Sequence, residues 1–170
     1  MEIGKLSNQT LEKIVFSNIK YKRDEILQGA AIGKDNAIID FGEEVCIVST
    51  DPITGATKDI GRLAIYVSCN DVASSGAEPI AALLTILAPP STREEEIELI
   101  MKEAGEAAEE LKVEIIGGHT EITDAVNRVV ISATVLGKQS KRKMIDASKV
   151  KVGDKVLITK YAGLEGTSIL

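Results

Sequence analysis

Pro79-Ile80-Ala81-Ala82-Leu83-Leu84-Thr85-Ile86-Leu87-Ala88-Pro89-Pro90 runs directly into Ser91-Thr92-Arg93-Glu94 and then into a strongly charged segment. The first stretch has the composition of a buried strand closed off by prolines. Ser91 and Glu94, three residues apart, read as a capping box, in which hydroxyl and carboxylate satisfy each other's orphan amides. Ile97, Ile100, Met101, Ala104, Ala108 and Leu111 then share one stripe of a helix, with Glu and Lys elsewhere. Val113-Glu114-Ile115-Ile116 follows as a second strand, ending in Gly117-Gly118-His119-Thr120-Glu121.

The rest of the chain extends this strand–helix–strand unit on both sides. Upstream, residues 37–41 and 45–48, separated by Gly42-Glu43-Glu44, predict a pair of strands, the second running into Ser49-Thr50-Asp51-Pro52 and a loop over 53–58. A helix is expected over 59–75, with Asp59 suited to its start by charge and Gly76 to its end. Leu11, Ile14 and Val15 predict an earlier helix over 7–19, capped by Ser7, and Gly29-Ala30-Ala31-Ile32-Gly33 breaks that pattern. Downstream, 128–136 predicts a strand. The order is helix, strand, strand, helix, strand, helix, strand, strand, which is an α/β or α+β sheet with helices packed on it.

Beyond Gly137 the composition shifts. Lys138, Lys141, Arg142, Lys143, Lys149 and Lys151 gather in a short stretch, Gly153-Asp154 opens a strand over 155–160, and 163–170 begins a turn and a helix. The expected organisation is an N-terminal helix and glycine-containing segment (1–30), a central α/β domain (31–138), a basic linker (139–150) and the start of a further domain (151–170).

Composition removes several functional classes. The chain has 170 residues, 44% hydrophobic and 27% charged, enough for one globular core. Twenty-six acids against twenty bases give a formal charge of −6, which argues against a nucleic-acid binder. No apolar run is long enough to cross a bilayer, and the start, Met1-Glu2-Ile3-Gly4-Lys5, does not resemble a secretory signal, so no membrane partner and a soluble, cytoplasmic chain are expected. Cys46 and Cys69 make no disulfide framework or metal spacing, and a zinc site or serine triad would have to be built around the one histidine, His119. Carboxylate is in good supply.

Several of the acids sit in unfavourable places. Ile60, Ala64 and Val67 precede Asp71 by eleven, seven and four residues, so Asp71 continues an apolar helix stripe. A carboxylate there costs several kcal/mol unless a cation or hydrogen-bond donor meets it. Both a divalent cation and nearby backbone amides satisfy that demand. Asp51 ends an apolar strand, where ligand sites of α/β sheets gather, although Asp-Pro equally suits an Asx turn. Asp35-Asn36 lies between the glycine segment and a strand, and His119 and Glu121 follow two glycines.

Taken together, Gly33-Lys34-Asp35-Asn36-Ala37, Ser49-Thr50-Asp51, Asn70-Asp71-Val72-Ala73-Ser74-Ser75-Gly76-Ala77-Glu78-Pro79 and Gly117-Gly118-His119-Thr120-Glu121 resemble the AIR synthase (PurM-like) superfamily. The likeness is greatest to its AIR-synthase-related and hydrogenase-maturation branch. It implies an N-terminal ATP-binding domain with a mixed, mostly antiparallel sheet, helices on one face, and a homodimer formed through the sheet. It further implies Mg²⁺ held by Asp35, Asp51 and Asp71, with Glu121 as a further ligand, and ATP or its phosphates near Gly33, Lys58, Asn70, Gly117, Gly118, His119 and Thr120. The implied chemistry is phosphoryl transfer to an amide or carbonyl oxygen of a small-molecule or protein-tail substrate, of cyclo-ligase or dehydratase type. The alternatives are a non-catalytic dimeric ATP-binding module and a small-molecule kinase resembling thiamine-monophosphate kinase. Two positions depart from the superfamily pattern: Asn36 stands where many members have a second aspartate, and His119 where many have an acid.

Overall fold

The computed structural model describes residues 1, 3–56, 58–145, 149–158, 160–164 and 167. Among these, six strands form one sheet: β1 (Ile26–Gln28), β2 (Ala37–Asp40), β3 (Glu44–Ile53), β4 (Glu78–Ala88), β5 (Glu114–Ile122) and β6 (Val130–Ser140). Their spatial order is β1-β2-β3-β6-β4-β5. All neighbours are antiparallel except β4 and β5, which run parallel. Helix α2 (Ile60–Ser74) lies across β3, β6 and β4, and α3 (Glu94–Leu111), the crossover between the two parallel strands, packs on α2 and touches β5. Both helices therefore cover one face of a mixed, mostly antiparallel sheet.

Alternation in β3 sets the faces. Val45, Ile47 and Ser49 are buried beneath α2, while Cys46, Val48 and Thr50 point to the other side. The core joins Ile38, Val45 and Ile47 to Ile131, Ala133 and Val135 of β6, Ala82, Leu84 and Ile86 of β4, and Ile65, Cys69 and Val72 of α2. Each fully buried isoleucine or valine contributes about 1.5–3 kcal/mol. The opposite face has no helix. Ile39, Val48, Leu136 and Leu87 lie on it only partly buried and Leu83 is exposed, beside a hydroxyl ladder in which Thr134 Oγ1 donates to Thr50 Oγ1 at 2.9 Å.

The α2–α3 crossing is tight because position 61 is glycine. A Cβ there would lie 2.1 Å from the Ile100 carbonyl oxygen. Outside that contact Arg62 pairs with Glu106 at 2.8 Å, and the Tyr66 hydroxyl donates to Glu110 at 2.5 Å. Gly61→Ala is expected to force the two helices apart and lower the melting temperature by about 5 °C, since overpacking costs about 1–3 kcal/mol. A circular-dichroism melt checks this, and an unchanged midpoint would contradict it.

Several boundaries differ from the sequence reading. The N-terminal helix is a short α-turn, α1 (Asn8–Thr10), a π segment (Leu11–Val15) and a 3-10 turn (Phe16–Asn18) in succession, with Ser7 Oγ accepting from the Thr10 N–H at 3.2 Å as expected of a cap. Strand β1 had no sequence signal. The N-cap of α3 is Arg93, not Ser91: its N–H donates to the Glu96 carboxylate at 2.9 Å, and because an arginine side chain has no acceptor only half of a capping box forms. Asp59 precedes α2 in a left-handed conformation (φ 53°) and makes no side-chain cap bond. β6 continues to Ser140 into a 3-10 turn (Lys141–Lys143), occupying the start of the expected linker, whose residues 146–148 lie outside the described residues. Residues 155–158 are exposed and irregular instead of forming a strand, and most of the expected helix after 163 lies outside the described residues.

Candidate functional site

Two aspartates distant in sequence, Asp51 and Asp71, come together where β3 passes α2, and a third, Asp35, lies on the loop before β2. Asp51 follows Val45, Ile47 and Ser49 in alternation and so faces the helix side. Asp71 sits in the last turn of α2, half-buried, on the stripe begun by Ile60 and Ala64. Ser49, only 2% exposed, donates its hydroxyl to Asp71 Oδ2 at 2.9 Å, and the same Oγ is 2.9 Å from the Asp35 carbonyl oxygen. One hydroxyl thus ties the loop bearing Asp35 to the helix bearing Asp71.

Asp51 and Asp71 stand side by side. Partial burial pushes the Asp51 carboxyl up to about 6; its hydrogen bond to Asp71, the Asp71 charge and the charge of Asp35 act in the same direction, while Lys5 opposes them. At neutral pH this is a concentration of negative charge in a half-dry place. Its donor set suits a hard divalent cation, because Mg²⁺ is commonly held by one or two carboxylates completed by phosphate and water. Asp35 is exposed and acts on Asp51 through space. Among the described residues no three His, Cys, Asp or Glu side chains form a group that could hold a metal ion.

Asn36 does not point at this pair as a ligand would. It is buried and hydrogen-bonded to the end of α2 through the Asp71 carbonyl and Ser75 Oγ. Asn70 is exposed on α2 beside Asp71, Gly33 is exposed two residues before Asp35, and Lys58 is exposed just before α2.

The Gly117–Glu121 run differs most from the sequence reading. It is not a turn at a strand end but the body of β5, paired with β4 from Leu83↔Gly117 to Leu87↔Glu121. Ile115 pairs with Ala82 and Gly117 with Leu83, leaving Ile116 as an extra residue. That bulge reverses the alternation. Gly118 therefore shares the helix-side row of Asp51, through Asp51↔Ala133, Leu84↔Ala133 and Leu84↔Gly118. His119 and Glu121 fall on the open face, with His119 Nε2 3.2 Å from Glu121 Oε2. Glu121 is thus three strands from Asp51 and on the opposite side of the sheet, apart from the aspartate pair it was expected to join.

Two hollows lie elsewhere. One of about 470 Å³ is lined by Thr54, Asp124, Asn127 and Arg128 at the β5–β6 loop. The other, about 270 Å³, is lined by Gly117, Gly118, His119 and Thr120 with Leu84 and Met101. Neither includes the aspartates.

Residues 33–139 match the family described as AIR synthase related protein, N-terminal domain. The chain belongs to this family. A Methanocaldococcus jannaschii protein assigned to hydrogenase expression/formation is 30% identical over 98% of this chain and 51% of its own length. Phosphoribosylformylglycinamidine cyclo-ligase of Thermococcus kodakarensis is 30% identical over 81% of this chain and 44% of its own. In the HypE–HypF complex, one chain superposes with a TM-score of 0.55 at 26% identity, covering 62% of this chain and 36% of that one. The chain spans about half the length of the curated relatives it matches. Among the described residues no helix is long and apolar enough to cross a membrane. The hydroxyl of Ser49 and the amide of Gln28 are site features that sequence reasoning did not single out, and Asn36 stood out there only as a departure from the superfamily pattern. The only available signal was a serine at a strand position where alternation demands an apolar residue.

Proposed function

We propose that this domain binds ATP through Mg²⁺ held between Asp51 and Asp71, with Asp35 adding charge from the adjoining loop. The observation that carries this reading is the convergence of two acids from separate elements: Asp51, on the helix-side row of β3 two residues past Ser49, and Asp71 of α2, whose Oδ2 accepts the Ser49 hydroxyl at 2.9 Å. When bound, Mg²⁺ supplies neutralisation of the phosphate charge. The chain's own residues hold the geometry. Ser49 orients the Asp71 carboxylate, and Gly33, Lys58, Asn70 and the helix-side members of the glycine run, Gly118 and Thr120, are the nucleotide-side candidates.

In the whole protein we assign this site to phosphoryl transfer onto an amide or carbonyl oxygen, of the cyclo-ligase or dehydratase type, on a small molecule or a protein tail. The names of the relatives support that assignment. We further propose that the sheet through Ser140, from about 31, is the nucleotide-binding unit and that the basic stretch after it leads to a second domain beginning near 151. The helix-free sheet face supports pairing of two copies through it, an arrangement that sets His119 and Glu121 against the second copy.

Isothermal titration calorimetry tests the core of this reading. ATP should bind in the presence of Mg²⁺ and much more weakly in EDTA. Asp71→Asn should weaken the Mg²⁺-dependent binding at least about tenfold, a loss of about 1.4 kcal/mol. Equal affinity in the two proteins would refute the assignment.

A further inference from the structure

We propose that Asn36 is a positioning residue of the aspartate pair, acting through the backbone of Asp71 and not as a ligand of a cation. This rests on the Mg²⁺–ATP reading above.

The Asn36 amide is fully engaged. Its Nδ2 donates to the Asp71 carbonyl oxygen at 2.9 Å and to Ser75 Oγ at 3.0 Å, and its Oδ1 accepts from Gln28 Nε2 at 3.0 Å. The orientation is dictated by chemistry: a carbonyl only accepts, so nitrogen must face Asp71. Asn36 and Ser75 are 9% and 8% exposed, so these bonds face little competition from water.

The last turn of α2 is built for this contact. The Ser75 N–H donates to the Val72 carbonyl at 3.2 Å, a tightened i+3 bond, which frees the Asp71 carbonyl for Asn36 and for Ser74 Oγ at 2.7 Å. Asp71 is thereby held at both ends: Asn36 holds its backbone, and the Ser49 hydroxyl, which lies equally near the Asp35 carbonyl oxygen, holds its carboxylate. Gln28 Nε2 also reaches the Asn36 carbonyl at 2.9 Å, which closes the base of the loop over 29–35. The glycine-containing loop and the metal-side turn of α2 are therefore joined through one buried amide.

A double-mutant cycle tests this, with Mg²⁺-dependent ATP affinity as the readout. Asn36→Ala and Asn36→Asp should each lower that affinity about tenfold. In an Asp71→Asn background the loss from Asn36→Ala should shrink to less than about twofold, because the two changes act on one element. A tighter Mg²⁺ complex in Asn36→Asp would overturn the proposal by making position 36 a ligand. An undiminished loss in the Asp71→Asn background would overturn it by making the effect a general loss of structure. Where Asn36→Ala does not fold, Gln28→Ala removes only the outer bond and carries the same test with the same sign. Hydrogen exchange separates this proposal from the nucleotide reading. If the wild-type protein shows no Mg²⁺-dependent ATP binding, the reading falls, but faster exchange over both 28–36 and 71–76 in Asn36→Ala still upholds the latch. Unchanged exchange refutes it.

Discussion

Gly118→Ala is expected to lower the melting temperature by about 10 °C or more and to release β5 from β4. A Cβ at this position would stand 1.8 Å from the Leu84 carbonyl oxygen and 2.6 Å from its carbon. Those are backbone atoms of a strand paired on both sides, so they have nowhere to move. The residue also sits at φ +148°, where an L side chain is strained by about 1–3 kcal/mol before any clash. Clash and strain together put the change above about 4 kcal/mol, and a domain of this size loses about 2–4 °C per kcal/mol. Gly117 shares the dihedral, but a Cβ there meets only the Leu83 side chain at 3.6 Å, so Gly117→Ala should cost clearly less. Thermal melts of both variants, with hydrogen exchange across 114–122, check this. Equal midpoints for the two would contradict it.

Asp51→Asn is expected to do two opposite things: stabilise the metal-free protein at neutral pH and remove Mg²⁺-dependent ATP binding. The sign follows from linkage. The folded Asp51 carboxyl lies at about 6, above its ordinary value of 3.8. Its contribution to stability is therefore full below about pH 4 and is lost as pH rises through about 6. At pH 7 the wild-type pair repels itself, and asparagine relieves that repulsion at the expense of the site. Urea titrations from pH 4 to 7 without metal should show stability falling in wild type across this window and a flatter profile in Asp51→Asn. Mg²⁺ should reverse the wild-type fall, and its binding should strengthen through about pH 6 with release of protons. Identical pH profiles for the two proteins would remove the like-charge pair from the account.

The aspartate pair was legible in the sequence because both positions violate a strong periodicity. Asp71 interrupts the stripe of Ile60 and Ala64, and Asp51 ends the alternation of Val45 and Ile47. The strands β2, β3, β4 and β6 and the helices α2 and α3 were legible for the same reason. Strand β1 was not, because three residues carry no period and its pairing with β2 is a tertiary fact. The continuation of β5 through two glycines was hidden because glycine reads locally as a breaker, and only the neighbouring β4 explains it. The faces of His119 and Glu121 were unreadable for a subtler reason. A single bulged residue, Ile116, inverts every later side chain of the strand, and bulges leave no alternation signal of their own. The role of Asn36 depends on contacts 35 and 39 residues away in sequence, beyond any local pattern.

The most direct test is an X-ray structure of the protein crystallised with Mn²⁺ and a non-hydrolysable ATP analogue, with the ion located by anomalous scattering. The account predicts an ion in contact with the carboxylates of both Asp51 and Asp71 and with phosphate oxygens. A nucleotide bound in the hollow lined by Thr54 and Arg128, with no ion between Asp51 and Asp71, would contradict it.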